Sequence, residues 1–133
     1  MKFTKKLPNY TSFSKLIETN SIYVDKTGII ANFANGNGPF FISRPRRFGK
    51  STLINTLHEL FAHGTEKFKG LEIEPLWDDK TYKVIHLDFS TFKDVPSNSS
   101  FNKEFIDAFK LSLEEAGIKP ANEDLDSPAN LLR

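Results

Sequence analysis

The chain has 133 residues, 38% hydrophobic and 26% charged with 13 Phe, the composition of one globular domain able to bury roughly two-thirds of the surface its unfolded chain exposes. It holds no cysteine, which excludes disulfides, thiolate metal sites and cysteine catalysis, and no apolar run approaches the roughly 18 residues of a membrane span. The net charge of +1 hides an asymmetry: residues 1–70 carry 11 Lys/Arg against 4 Asp/Glu, and residues 71–133 carry 7 against 13. The basic half is thus suited to an anion, whether a nucleotide, a nucleic acid or an acidic partner. Without a leader pattern or a membrane segment, and with a cysteine-free composition that fits a reducing compartment, the chain reads as cytoplasmic.

Phe13, Leu16 and Ile17 predict a short helix between Ser12 and Thr19, and Ile22-Tyr23-Val24 reads as extended. Asp25 or Thr27 caps a helix running through Ile29, Ile30 and Phe33, which Asn35-Gly36-Asn37-Gly38 stops. Phe40-Phe41-Ile42 is too short for a helix and suits a buried strand. Beyond Lys50, Leu53, Ile54, Leu57, Leu60 and Phe61 recur at helical spacing up to His63, with Gly64 as terminator. Val84-Ile85-His86-Leu87-Asp88-Phe89 reads as a second buried strand. A second strong helix runs from about Phe101 to Ala116, with Phe105, Ala108, Phe109, Ser112 and Leu113 on its apolar face and Gly117 beyond its end, and Pro128 starts another.

This order predicts an α/β fold with a mainly parallel sheet flanked by helices. Two strands and one short candidate fall below the usual sheet of about 5–6, so the sheet is expected to be incomplete. Its exposed edge would need a partner chain or self-association to cover it.

The stretch from Pro39 to Leu53 places an apolar run, a basic loop and then Gly49-Lys50-Ser51 at the start of a helix. A phosphate-binding loop requires converging backbone N–H groups, a lysine for the β- and γ-phosphates and a hydroxyl on Mg²⁺. On that reading Arg46, Arg47, Phe48, Gly49, Lys50, Ser51 and Thr52 bind nucleotide, Mg-ATP is the cofactor, and Ser51 holds the metal. The general pattern wants glycine at position 44, where Arg44 stands, followed by Pro45, which has no N–H. Arg44, Arg46 and Arg47 could instead serve a nucleic-acid-binding module, or the chain could be a truncated interaction fragment without activity.

The run Ser43-Arg44-Pro45-Arg46-Arg47-Phe48-Gly49-Lys50-Ser51 resembles the signature of the AAA-ATPase-like proteins of bacteria and archaea, which typically carry a C-terminal PD-(D/E)XK-type nuclease domain. Tyr23-Val24-Asp25-Lys26-Thr27, Phe68-Lys69-Gly70-Leu71 and Val84 to Ser90 resemble further segments of that family, in order and spacing. The resemblance implies that residues 1–133 are the N-terminal portion of a P-loop NTPase-like domain, with the arginine-proline loop as a family mark. It also implies that the Walker B strand end and the nuclease domain lie beyond residue 133. ATP binding through a variant Walker A loop is therefore expected, whereas this chain alone shows no catalytic glutamate for hydrolysis.

Other residues have plainer readings. Asp88 could stand in for a Mg²⁺ ligand at the end of its strand, or shape the following turn. Asp25 and Lys26 could contact a base or sugar, and a helix cap explains Asp25 equally well. His58, His63 and His86 share no metal-ligand spacing, Trp77 suits a packing anchor, and Asp78-Asp79 and the Glu123-Asp124-Asp126 group read as solvated faces.

Overall fold

A helix closes its hydrogen bonds within a local stretch, whereas a strand needs a neighbour from elsewhere in the chain. That difference decides this architecture. The computed structural model describes residues 5–36, 38–92 and 98–119, and among them lie four α-helices and two 3₁₀ turns with no β-strand. An isolated parallel bridge joins Lys6 to Ser21, with the Ile22 N–H donating to the Lys6 carbonyl at 2.8 Å.

The expected α/β fold, a P-loop NTPase-like sheet flanked by helices, is thereby corrected to an all-helical one. The chain divides into two compact units, residues 1–82 and 83–133. The expected strands at 40–42 and 84–89 fall in different units, and neither they nor the short candidate at 22–24 form a ladder among the described residues. Instead of being buried, Phe40 and Phe41 are 55% and 93% exposed, and Ile85 is 40% exposed. The sheet edge, and the partner chain or self-association expected to cover it, fall with the sheet. The Pro128 helix start and the Glu123-Asp124-Asp126 group lie outside the described residues.

The first unit is built on three helices. Helix α1, Phe13–Glu18, buries Phe13 and Leu16 one turn apart. Asn20 ends it in the left-handed region at φ 51°, while the Ser21 N–H bonds back to Leu16 at 2.9 Å and the Asn20 N–H to Ile17 at 3.0 Å. This is a Schellman closure with asparagine in the position glycine usually takes. Helix α2, Thr27–Ala34, buries Thr27, Ile30 and Ala31 at helical spacing. Helix α3, Lys50–His63, follows Gly49 and stops at Gly64, whose φ of 72° with ψ of −150° is open to glycine alone.

Helix α3 and the turns after it close the core. Leu60, Phe68, Ile73 and Trp77 join Phe13, Ile30 and Ala31 in one buried cluster, with the Phe13 and Phe68 rings stacked at 4.4 Å. Leu60 is fully buried, and its truncation to alanine costs about 2–5 kcal/mol. Trp77 is a packing anchor, its Nε1–H donating to the Lys80 carbonyl at 3.1 Å. Asp79 is more than a solvated face: its Oδ1 accepts from the Thr65 N–H and hydroxyl, both at 2.8 Å, and latches the segment onto the end of α3.

The second unit contains helix α4, Asn98–Glu115. Ile106, Phe109, Ser112 and Leu113 are buried at i, i+3, i+6 and i+7, one apolar stripe interrupted by a hydroxyl. Phe105 stacks along the helix on Phe109 at 6.1 Å and meets Phe89 from the preceding 3₁₀ turn, Phe89–Phe92, at 5.9 Å. The helix ends in a second Schellman closure at Gly117, and Lys83 Nζ donates to the Gly117 carbonyl at 2.8 Å, placing a cation at the negative end of the helix dipole. Ser112 serves the extended segment directly. Its Oγ accepts from the His86 N–H at 3.1 Å and donates to the His86 carbonyl at 3.2 Å, taking the place of a neighbouring strand.

Candidate functional site

Two polar nodes hold the first unit in shape. At the start of α2, Asp25 Oδ1 accepts from the Thr27 N–H at 2.8 Å and the Thr27 hydroxyl at 2.6 Å, while Oδ2 accepts from the Glu72 N–H at 2.8 Å. The fully buried Thr27 Oγ1 in turn accepts from the Ile73 N–H at 3.1 Å. Burial alone would raise the Asp25 carboxyl, but the Thr27 side chain, the Glu72 amide and the Thr27 amide outweigh it and hold the group below its ordinary range. Asp25 thus works as a helix-start anchor with both oxygens engaged by the protein.

The second node is Glu59 on α3. It accepts from the Ser14 hydroxyl at 2.6 Å and pairs with Lys67 at 3.1 Å and His63 at 3.3 Å, and Lys67 also reaches Glu18 at 3.3 Å. Burial pushes Glu59 upward, yet the Ser14 and Lys67 hydrogen bonds with the Lys67 and His63 charges bring it below the ordinary glutamate range. Serine, carboxylate and histidine meet here in an order unsuited to nucleophilic catalysis, because both Ser14 and His63 point to the carboxylate rather than to each other.

Between α1, α2 and the first turns of α3 lies a cleft of about 470 Å³, within the range of small-molecule sites. Its walls are mainly apolar, including Leu16, Ile22, Ile29, Ile30, Phe33 and Leu53. Tyr23, Thr52 and Thr56 add hydroxyls and Lys26 and Arg44 add positive charge. Burial raises the Tyr23 hydroxyl above its ordinary range, a hydrogen bond with Thr56 opposes this, and the nearby Asp25 charge reinforces it.

Of the residues singled out from the sequence, Lys26, Phe48, Gly49 and Thr52 line this cleft together with Arg44. Arg46, Arg47, Lys50 and Ser51 are exposed and line no part of it. Arg47 holds a positive φ of 64° and Gly49 one of 76°, so the chain turns sharply just before α3. Arg44 bends back, Nη1 donating to the Phe48 carbonyl at 3.3 Å. Of the three loop arginines, Arg44 lines the cleft and Arg46 and Arg47 do not. Asp88 lies in the second unit and accepts from the Ser90 N–H at 2.8 Å, shaping the 3₁₀ turn.

The mechanism expected of the loop needs a sheet strand to fix its first end against the helix that follows. Here the preceding residues 40–42 form no strand and are exposed, and Pro45 offers no N–H. Among the described residues no group of three or more His, Asp or Glu converges on a metal position. The residues present do not fit Mg-ATP, and the expected Walker A nucleotide binding, the Mg-ATP cofactor and the nucleotide partner are corrected accordingly. The membrane expectation fares differently: no helix among the described residues is long and apolar enough to cross a bilayer.

Residues 9–132 match the AAA-ATPase-like family, described as "Predicted AAA-ATPase", and the chain belongs to that family. An uncharacterized protein in the vnfD 5′ region of Azotobacter chroococcum mcd 1 is 41% identical over 88 residues, covering 64% of this chain and 17% of that protein. No solved structure matches the chain. Membership and architecture part company here: among the described residues there is no strand to build the P-loop NTPase module that the resemblance implied.

Sequence reasoning reached part of the cleft through the loop and Lys26, and it missed Tyr23, Thr56 and the apolar wall. Tyr23 and Val24 both line the cleft, beside Lys26.

Proposed function

We propose that the first unit is a ligand-binding module that receives the apolar body of a small molecule in the cleft between α1, α2 and α3. The observation that carries this reading is the cleft itself, about 470 Å³ of concave apolar surface with four hydroxyl-bearing side chains and two cations, the usual build of a small-molecule site. No catalytic step is assigned to it, and the cysteine-free composition supports placing the module in the cytoplasm.

The test uses the neutral fluorescent probe phenylnaphthylamine. It is expected to bind the folded protein one to one with a blue-shifted emission, and Thr52→Trp, which fills the cleft from the first turn of α3, is expected to abolish the signal. Binding that survives Thr52→Trp unchanged would place the probe elsewhere and defeat the proposal.

A further inference from the structure

We infer that the ligand of this cleft is an amphipathic anion, an apolar or aromatic body carrying a carboxylate or sulfonate. This rests on the reading of the cleft as a ligand site. Lys26 and Arg44 line it, and no Asp or Glu does. Among the described residues neither cation has a carboxylate within ion-pair distance. The acidic neighbour in sequence, Asp25, already accepts three hydrogen bonds from Thr27 and Glu72.

Arg44 spends one Nη1 donor on the Phe48 carbonyl at 3.3 Å, which leaves most of a guanidinium's five N–H donors for a planar acid group. Cations set beside apolar walls gain most from a counter-charge brought in by the ligand, because the walls displace the water that would screen the pair. A large polyanion is disfavoured by the same geometry, which offers a bounded cleft with two positive groups. The apolar wall and the cation pair thus select for a molecule with both characters.

The experiment compares phenylnaphthylamine with anilinonaphthalene sulfonate, which has a similar aromatic body plus one negative charge. The sulfonate is expected to bind more tightly and to lose affinity with added salt. Arg44→Gln and Lys26→Gln are each expected to weaken it about three- to ten-fold, the range for a partly screened charge-assisted contact, while leaving the neutral probe within about two-fold. Arg44→Glu should reverse the preference between the probes. Both positions are exposed, and an unchanged Trp77 emission excludes partly unfolded protein, which also takes up such dyes. Equal affinities for the two probes, indifferent to Arg44 and Lys26, would overturn the anion inference and leave the apolar cleft standing. Failure of both probes to bind would overturn the cleft reading and the anion inference with it.

Discussion

Replacing Thr27 with valine keeps the shape of a fully buried side chain and removes one oxygen. That oxygen donates to Asp25 at 2.6 Å and accepts from the Ile73 N–H at 3.1 Å. The substitution leaves a buried amide donor without its acceptor and deprives a carboxylate of one donor, which together amount to about 2–3 kcal/mol. Thr27→Ser retains the hydroxyl and loses a methyl group, costing about 1 kcal/mol. Urea unfolding followed by Trp77 separates the two. The protein has a single tryptophan, buried in the first unit, so its emission reports on that unit alone. With a slope of about 1 kcal/mol/M, the valine variant's midpoint falls by about 2 M. The pH dependence adds a second check. In the folded protein the Asp25 carboxyl titrates below its ordinary range, so its contribution is present above the ordinary value and is lost as pH falls through the depressed one. The gap between wild type and Thr27→Val therefore narrows in acid. A serine variant less stable than the valine variant, or a gap that widens in acid, would refute the reasoning.

Two further outcomes test the other ties. Glu59→Gln keeps the volume but removes the charge facing Lys67 and His63; stability at neutral pH is expected to drop by about 1 kcal/mol after solvent screening. Because the Glu59 pKa is lowered in the folded state, that loss fades as pH falls through the depressed value, and a pH series of urea midpoints checks it. In the second unit, Ser112→Ala removes the two hydrogen bonds between the serine hydroxyl and the His86 backbone, and native-state hydrogen exchange at the His86 amide is expected to accelerate about ten-fold. An unchanged exchange rate there would show that the extended segment is held by something other than the serine.

Local signals were legible and distant ones were not. Gly49, the Leu53-Leu57-Leu60 spacing and Gly64 bound α3 correctly because a helix is specified by neighbours within a few residues. The end of α4 was read from Gly117 in the same way. The runs at 40–42 and 84–89 have the composition of buried strands, but composition cannot supply the paired neighbour a strand needs, and among the described residues no ladder forms. The site suffered for the same reason. Lys26 and the loop residues before α3 stood out locally, whereas Leu16, Tyr23 and Thr56 join the cleft only once α1 packs on α3. Glu59 is buried and bonded to Ser14, far away in sequence, a tie no local pattern announces.

The polar ties of the first unit also set a schedule for its synthesis. Ser14 pairs with Glu59 across 45 residues, Thr27 with Ile73 across 46, and Asp25 with Glu72 across 47. A chain emerging from the ribosome at roughly 5–20 residues per second thus carries α1 and the start of α2 for several seconds before their partners exist. During that interval Phe13 and Ile30 lack Leu60, Phe68 and Ile73 to bury against, and the exposed run around Phe41 follows them out before α3 does. The stretch through Ile73 completes these ties, so a stalled nascent chain is expected to change from protease-sensitive to protected once that stretch has cleared the exit tunnel.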